Sequence, residues 1–251
     1  DSYLWYGGGP KKDFKKASKE QKENSVSFSN LLEMVAKINN KLRIRFSTSN
    51  PQDMTNDVIE VMSKYDNICN YIHLPVQSGS SRILKLMNRG YNRNEYINLV
   101  DRIKNKIPDC AISMDLITGF CTENEKDHLD TLSLMKYVKY DYGYMFKYSE
   151  RPNTAAEKKF DDDVPEKLKQ RRLVEIIDLQ QKQSLENNMK RIDKTYEVLI
   201  EGNSKRSKDH FFGRTTHNCV VVFKKENYKI GDYVNVKIID CTAGTLKGKI
   251  I

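Results

Sequence analysis

Hydrophobic and polar positions follow two different patterns along this chain, and the change between them lies near residue 190. Before that point, short apolar runs alternate with longer segments in which apolar residues recur at helical spacing. The apolar runs cover residues 43–47, 71–74, 111–117 and 144–148, and the helical segments cover residues 28–38, 55–64, 81–87, 93–106 and 125–138. Strands that alternate with helices of about 10–15 residues are typical of β/α units with parallel strands. We therefore predict an α/β fold, a partial TIM-like β/α barrel.

From residue 194 onwards the pattern is that of short strands. Apolar and polar residues alternate, as at Tyr196, Val198 and Ile200, and glycines separate the runs, which is typical of a small all-β barrel. A long helical segment, from residue 166 to about 190, precedes this region and is expected to pack on the outside of the body. We expect two domains, residues 1–192 and residues 193–251. Four β/α units do not close a barrel, and the chain begins with Asp1, so we also expect it to be the C-terminal part of a longer polypeptide.

Charge and cysteine content narrow the possible partners. Lys and Arg outnumber Asp and Glu by 43 to 34 in 251 residues, for a net charge of +9, and residues 194–251 carry eleven of these cations against six acids. A basic domain favours a polyanionic partner such as RNA. The five cysteines are scattered, which favours a reducing cytoplasm over a disulfide scaffold or a metal site. No apolar run approaches the roughly 20 residues needed to cross a bilayer, so we expect no membrane association.

Small polar loops follow the predicted strands of the body, at residues 47–51, 75–80, 118–120 and 149–154. For any one of them the simpler interpretation is ordinary turn and helix-capping chemistry. Because the carboxyl ends of parallel strands meet at one face, four such loops at matching positions favour a binding face.

One loop of the C-terminal domain combines basic groups with nearby aromatic rings: Lys205, Arg206, Lys208, Phe211, Phe212 and Arg214. This combination suits contacts with RNA phosphates and stacking on bases. The alternative is a solvated loop followed by core phenylalanines, and we expect that alternative to hold for one of the two phenylalanines.

The motifs of both domains resemble those of known families. The C-terminal domain resembles a TRAM domain, a small RNA-binding β-barrel, in Ser204-Lys205-Arg206-Ser207, Phe212-Gly213-Arg214-Thr215 and Ile230-Gly231-Asp232-Tyr233-Val234. The body resembles the later half of a radical SAM barrel of the methylthiotransferase family, in Phe46-Ser47-Thr48-Ser49, His73-Leu74-Pro75-Val76-Gln77-Ser78-Gly79-Ser80, Met87-Asn88-Arg89, Asp115-Leu116-Ile117-Thr118-Gly119-Phe120 and Tyr148-Ser149-Glu150-Arg151-Pro152-Asn153-Thr154. Within that family the pattern favours the branch that methylthiolates N6-isopentenyladenosine at position 37 of tRNA. Related branches act on threonylcarbamoyl-adenosine or on a ribosomal protein.

The chain departs from the family pattern at several positions. Asn50 stands where His is common, Cys121-Thr122 where Pro-Gly is frequent, and Asn153 where Gly is usual. None of the five cysteines matches the family's cluster ligands. The resemblance therefore implies two 4Fe–4S clusters in the full-length protein whose ligands are absent here. It implies no catalytic residue and no metal ligand in this chain, which alone should bind no cluster and cleave no S-adenosyl-L-methionine (SAM).

The reaction that the resemblance implies begins with SAM. A reduced cluster cleaves SAM to a radical, the radical removes hydrogen from C2 of the adenine ring, and a methylated sulfur is inserted there. The residues assigned to SAM through the resemblance are Ser49, Gln77, Ser78, Asp115, Gly119, Phe120 and Tyr148. Two alternatives stay open: Asp115 is a structural link to a neighbouring cation, and His73 is a satisfied core histidine.

The partner that the resemblance implies is the anticodon arm of tRNA. The residues assigned to it are Arg151, Lys205, Arg206, Lys208, Arg214 and Lys247. Such side chains contact phosphates, and Arg151 suits a forked contact with a phosphate or carboxylate, with a surface salt bridge as the alternative. For the whole protein the alternatives are the sibling enzyme that acts on a ribosomal protein and a non-catalytic RNA-binding protein. We expect a monomer.

Overall fold

Three parallel strands form the sheet of the body. They are β1 (Tyr71–His73), β2 (Ala111–Thr118) and β3 (Tyr142–Lys147), and they lie in that order. Ile72 stands opposite Ile112, and Asp115 stands opposite Tyr144. The structure is a computed structural model that describes residues 16–47 and 50–251. The predicted parallel β/α arrangement is confirmed.

The prediction of an extended strand at residues 43–47 was wrong. Here the chain makes a single parallel bridge, between Ile44 and Ile68, supported by the hydrogen bond from the Ile44 N–H to the Asn67 carbonyl oxygen at 2.8 Å. The partner segment is a turn, because the Ile68 N–H is itself bonded to the Tyr65 carbonyl oxygen. Beyond Ile68 the segment returns one more bond, from the Cys69 N–H to the Ile44 carbonyl oxygen at 2.9 Å, and the pairing then ends.

Helices cover one face of the sheet, and six of those that the structure describes follow the predicted segments. The two short helices Lys19–Glu23 and Ala155–Lys159 were not predicted. In the described part of the chain the helices are α1 (Lys19–Glu23), α2 (Phe28–Ile38), α3 (Asn56–Lys64), α4 (Ser81–Leu86), α5 (Arg93–Lys106), α6 (Glu125–Val138), α7 (Ala155–Lys159) and α8 (Glu166–Met189). A short 3-10 helix spans Pro51–Asp53. Capping boxes at Ser27, Asn92 and Asn124 satisfy the first N–H groups of α2, α5 and α6 and fix where these helices begin. None of the described helices is long and apolar enough to span a membrane.

The core of the body lies between the sheet and these helices. Its most buried members include Ile72, Leu74, Ile112, Met114 and Leu134, each at most 1% exposed. Alternate residues of a strand point to opposite faces, so the residues between these positions face away from the helical core. Helix α8 packs along β3 and leads to the C-terminal domain.

Five strands close the C-terminal barrel. They are β4 (Thr195–Asn203), β5 (His210–Arg214), β6 (Val220–Lys224), β7 (Tyr233–Cys241) and β8 (Leu246–Ile250), in the order β4-β5-β6-β8-β7. The inward side chains are apolar, and Val198, Val221, Phe223 and Ile238 are at most 1% exposed. The predicted small all-β barrel is confirmed, and its closure leaves no unpaired sheet edge.

The barrel docks at the amino ends of the body's strands. Arg43 donates to the Arg214 carbonyl oxygen at 2.6 Å and pairs with Glu197 at 2.9 Å. His217 pairs with Asp109 at 2.9 Å, two residues before β2 begins. The C-terminal barrel is therefore packed against the end of the sheet opposite to its carboxyl ends.

Candidate functional site

A cleft of about 1020 Å³ lies at the carboxyl ends of the three parallel strands. Its lining includes Gln77 from the loop after β1, Ile117 near the end of β2, and Tyr148 immediately after β3. Parallel α/β folds place their ligands at this end. The volume lies at the upper end of the range of about 300–1,000 Å³ that is typical of small-molecule sites, so the cleft has room for a cofactor and part of a second molecule.

Backbone geometry presents Gln77 to the cleft. Its φ is +72°, in the left-handed region. Its N–H donates to the Asp115 carbonyl oxygen and its own carbonyl accepts from the Ile117 N–H, both at 2.9 Å. These two backbone hydrogen bonds, one through the N–H and one through the carbonyl of Gln77, hold the strained conformation. Strain of this kind persists only where surrounding structure over-determines it.

Two serines assigned to SAM lie differently. Ser78 is fully buried, and its hydroxyl accepts the Ser80 N–H at 3.2 Å. It therefore faces the protein interior and is separated from the cleft that Gln77 lines. Ser49 lies outside the described residues.

Asp115 faces the cleft and is partnered by a histidine. His73 Nε2 lies 3.4 Å from Asp115 Oδ1, and the Asp115 side chain is 28% exposed. His73 Nδ1 is hydrogen-bonded to Ser113 Oγ at 2.8 Å. Both nitrogens of His73 thus have partners, as expected of a satisfied histidine. Among the described residues the partner of Asp115 is this ring and not a Lys or Arg.

An aromatic wall closes one side of the cleft. The Phe120 ring lies 5.0 Å from the Tyr148 ring and 6.1 Å from the Phe160 ring, both edge to face, a favoured geometry for aromatic pairs. Burial raises the pKa of Tyr148 to about 12, and the hydrogen bond with Cys121 adds to the shift. At neutral pH the Tyr148 hydroxyl is therefore protonated and able to donate.

Helix α8 braces the loop that carries Phe120. Gly119 has φ +71°. The Lys169 side chain fills the space beside it, because a Cβ added at Gly119 would lie 2.4 Å from Lys169 Cγ. The Gly119 N–H donates to Glu123 Oε1 at 2.8 Å. Glu123 pairs with Arg172 at 3.0 Å, each side chain only 2% exposed, and burial raises the pKa of Glu123 above its ordinary value despite these partners.

Sequence reasoning missed these bracing charges. Lys, Arg and Glu on a long helix or in a loop usually face water. Lys169 is instead 3% exposed and bonded to both carboxylate oxygens of Asp162 at 2.5 Å. The sequence carries no signal that distinguishes it from the exposed lysines nearby.

The rim of the cleft is basic. Its cations are Lys85, Arg89, Lys147, Arg151 and Lys159, against the single carboxylate of Asp115 in the lining. Lys147 is paired with Glu166, whereas Arg151 forms no ion pair with any residue that the structure describes, so the alternative of a surface salt bridge is not seen. Lys85, Arg89 and Lys159 were not anticipated. Together they favour an anionic ligand at the cleft mouth.

Two departures from the family pattern fall at left-handed backbone positions. Thr122 has φ +65° and Asn153 has φ +66°, and the family commonly has glycine at both. Asn adopts this conformation readily, but a β-branched residue does not. Thr122 is held by bonds from its N–H to Asp163 at 2.6 Å and from Arg82 to its carbonyl oxygen at 2.7 Å.

In the C-terminal barrel the assigned basic residues separate into two groups. Lys205, Arg206 and Lys208 are exposed in one turn. Arg214 is paired with Glu201, and Lys247 is paired with Asp240 at 2.7 Å. The first three form no ion pair with any other residue that the structure describes, and we call them the basic loop.

The two phenylalanines behind the basic loop also differ. Phe211 is 7% exposed and belongs to the barrel core, while Phe212 is half-buried. The expectation that one of them is a core residue is confirmed for Phe211. Phe212 retains ring surface that a base can stack on.

The described residues do not fit an iron–sulfur cluster. Within residues 16–47 and 50–251 no group of three or more His, Cys, Asp and Glu side chains is placed to hold a metal ion. Cys121, the cysteine beside the cleft, is 1% exposed, and burial raises the pKa of its thiol, which disfavours the thiolate that a cluster binds.

Comparisons with known proteins match both domains. Residues 13–135 match the model of the radical SAM superfamily, and residues 190–251 match the TRAM domain. Among solved structures, Escherichia coli coproporphyrinogen III oxidase, a radical SAM enzyme, aligns with 80% of this chain and 52% of its own length, at a TM-score of 0.52 and 16% identity. That likeness supports the fold alone.

Curated relatives are much more similar. The proteins named tRNA-2-methylthio-N(6)-dimethylallyladenosine synthase from Christiangramia forsetii and Flavobacterium johnsoniae are 64% and 61% identical over the whole of this chain. The chain spans 52% of the length of each. With these two matches along the chain and this level of identity from end to end, the chain combines a radical SAM domain with a TRAM domain and is similar throughout to the methylthiotransferases named above.

Proposed function

We propose that this chain is part of a tRNA methylthiotransferase that converts N6-isopentenyladenosine at position 37 to its 2-methylthio derivative. The observation that carries the proposal is the cleft at the carboxyl ends of the strands, lined by the family motifs at Gln77, Asp115, Phe120 and Tyr148. The names of relatives at about 60% identity support the same activity. In this proposal residues 1–192 form the part of the enzyme that holds SAM, and residues 193–251 hold the RNA.

The volume and lining of the cleft support SAM as its ligand. The Gln77 amide and the Tyr148 hydroxyl offer hydrogen bonds to the ribose and the adenine edge, and Ile117 and Phe120 offer apolar surface to the adenine faces. Arg151 offers a forked contact to a carboxylate or phosphate. When bound, SAM supplies the radical that activates C2 of the substrate's adenine at position 37, and it also supplies a methyl group. The task of these side chains is to orient it and to exclude water.

The iron–sulfur clusters of the family have no candidate ligands among the described residues. We propose that the ligands of both clusters are supplied from outside this chain, and we derive no step of the reaction through them. All five cysteines are free thiols, which suits a reducing cytoplasm.

The RNA partner is proposed from the basic loop and the basic cleft rim. The barrel docks at the amino ends of the strands, and the cleft opens at their carboxyl ends. The eight residues of β2, at roughly 3.3 Å each, separate the two by about 26 Å. A single nucleoside does not bridge that distance, but a folded RNA arm does. The anticodon arm, whose unpaired loop presents adenine 37, is the partner we propose.

Nucleoside analysis tests the activity. Deletion of the gene that encodes this chain should remove 2-methylthio-N6-isopentenyladenosine from total tRNA and leave the unmethylthiolated nucleoside in its place. Persistence of the methylthio nucleoside at its normal level would refute the proposal. Loss of a methylthio group from a ribosomal protein, with tRNA unchanged, would identify the sibling enzyme instead.

RNA binding by the chain tests the partner. Replacing Lys205, Arg206 and Lys208 with Ala should weaken binding to an anticodon-arm RNA. It should also reduce the slope of log affinity against log salt concentration by about 2 to 3, since each lost phosphate contact removes about 0.7 to 0.9. The matched control replaces three other exposed lysines of the same barrel, Lys224, Lys229 and Lys249. Equal losses in both triple variants would mean that the basic loop is not the contact site.

A further inference from the structure

A continuous line of hydrogen bonds crosses the face of the sheet that points away from the helical core. Its members, which we call the polar network, are Asn218, Tyr142, Tyr71, Ser113, His73 and Asp115. It begins in the turn between β5 and β6 of the C-terminal barrel, where Asn218 donates to the Tyr142 hydroxyl at 2.7 Å. The Tyr142 hydroxyl is bonded to the Tyr71 hydroxyl, and their rings are stacked.

The second half of the polar network runs along β1 and β2 to the cleft. The Tyr71 hydroxyl bonds Ser113 Oγ at 2.8 Å, and Ser113 Oγ bonds His73 Nδ1 at 2.8 Å. His73 Nε2 faces Asp115 Oδ1 at 3.4 Å. Tyr71 is 6% and Ser113 0% exposed, so water does not compete for the middle of the line.

The two ends fix the direction of every bond in it. The Asn218 amide nitrogen can only donate, and an ionised Asp115 carboxylate can only accept. Each hydroxyl between them then accepts from the barrel side and donates towards the cleft. His73 must accept at Nδ1 and carry its proton on Nε2, because the nitrogen that bears the proton is set by the partner of the other one.

We propose that Asn218 and His73 are positioning residues, and that the polar network lets the C-terminal barrel set the orientation of the Asp115 carboxylate in the cleft. Such a line of bonds polarises each of its members, so a change at one end is felt at the other. The barrel docks about the length of β2 away from the cleft, and the polar network is a direct physical link between them. Only its consequence for SAM binding rests on the proposed function, since the network itself is a property of this chain.

The test replaces Asn218 with Asp and observes His73. A carboxylate at this end accepts from Tyr142, so both ends of the line become acceptors. The only member that can donate in both directions is a doubly protonated His73 ring. In the full chain labelled with ¹⁵N-histidine, we expect His73 of the native protein at neutral pH to show one protonated nitrogen, Nε2. In N218D we expect both ring nitrogens to shift to the protonated range.

Two controls separate transmission along the network from a general effect of charge. Thr216→Asp adds the same charge to the same turn without contacting Tyr142, and it should leave His73 in its native state. N218D combined with Tyr142→Phe keeps the charge but removes the linking hydroxyl, and His73 should return to the neutral form. The proposal would be overturned if the His73 signal were unchanged in N218D. It would also be overturned if the signal changed in Thr216→Asp and in the double variant as much as in N218D.

If circular dichroism shows that N218D fails to fold, a second variant tests the same proposal. Ser113→Ala removes the middle of the line, so the Nδ1 resonance of His73 should move to the position of a nitrogen with no hydrogen bond. The ¹³C resonance of the Asp115 carboxylate should move with it. If neither signal moves, the ring and the carboxylate are held independently of Ser113 and the proposal fails.

Discussion

The two domains of this chain build their interiors from different chemistry. The body buries charged groups, and Lys169, Arg172, Glu123 and Asp127 are each at most 5% exposed. In the C-terminal barrel the buried cluster is apolar, and among the described residues of its strands and turns only Thr215 and His217 add buried polar side chains. These four charges lie behind the loops of the cleft, and a fifth buried charge of the body, Arg43, lies at the contact with the barrel. The charges of the barrel's basic loop are exposed.

This difference indicates how each domain serves its site. Burying a charge costs free energy that its partner only partly offsets, so buried ion pairs are a poor means of gaining stability. In the body two of them fix loop geometry: Glu123, paired with Arg172, accepts the Gly119 N–H, and Arg82, paired with Asp127, donates to the Thr122 carbonyl oxygen. The barrel needs only to present the basic loop, and an apolar core does this without further constraint.

The strongest test of the contrast is to break one buried pair. Arg172→Met leaves Glu123 buried without its cation, which should destabilise the body by about 3–5 kcal/mol. The barrel should retain its own stability. Hydrogen exchange read by mass spectrometry resolves this, with early exchange in β2 and α8 and little change in β6 and β7.

The adjacent arginine provides the control. Arg171 pairs with Glu125 at 2.6 Å but is 48% exposed, so Arg171→Met should cost less than about 1 kcal/mol. If the two variants were equally stable, the buried charges of the body would not be structural.

The barrel should respond to lost apolar volume instead. Ile238→Ala removes a fully buried side chain of β7 and should cost about 2–4 kcal/mol, confined to the barrel. Ile239 is the next residue on the same strand and is 46% exposed, so Ile239→Ala should be nearly neutral. Urea unfolding of both variants gives the comparison, and a similar loss in both would argue against a close-packed barrel core.

Breaking the contact between the domains should cost less stability than disrupting the interior of either domain. The Arg43 side chain is 6% exposed, bonds Arg214 and Glu197 of the barrel, and lies 4.8 Å from the centre of the Tyr233 ring. Arg43→Ala should weaken docking by about 1.5–3 kcal/mol, as expected for hydrogen bonds of a charged donor. The two domains should then unfold in separate calorimetric transitions.

Arg45→Ala is the control for docking. Arg45 reaches the barrel through one contact at 3.5 Å, to the Thr215 carbonyl oxygen. Its loss should leave the unfolding profile close to that of the native chain. A single unchanged transition in the Arg43 variant would show that other contacts hold the domains together.

The sequence predicts the elements well and the contacts poorly, for physical reasons. Periodicity records which face of a segment is apolar, so the parallel body and the β-barrel were predictable. Ser78 and Gln77 are adjacent and both suit a ligand, but only the left-handed φ of Gln77 decides which of them lines the cleft. Arg214 and Lys247 look like phosphate contacts until the fold brings Glu201 and Asp240 beside them. Such pairings depend on tertiary geometry, which no local pattern records.

The smallest expected effect is the acid response of the docking contact. Burial raises the pKa of Asp109, but hydrogen bonds from His217 and Asn70 outweigh it, so the net pKa lies below the ordinary 3.8. A depressed carboxylate pKa stabilises the folded form fully above the unfolded value and loses this contribution as the pH falls through the folded pKa. The difference between the native chain and Asp109→Asn should therefore be present at pH 6 and should vanish as the pH falls below 3.8 and through the folded pKa.

The size of this difference is limited by exposure. The Asp109 side chain is 63% exposed, so solvent screening keeps the pair below about 1 kcal/mol. Thermal unfolding of both forms at several pH values measures it, and Asp101→Asn, outside the docking contact, controls for the lost charge. If the native chain and Asp109→Asn differ most at low pH instead, the Asp109 carboxyl is stabilised in its protonated form and its link with His217 is not an ion pair that supports docking.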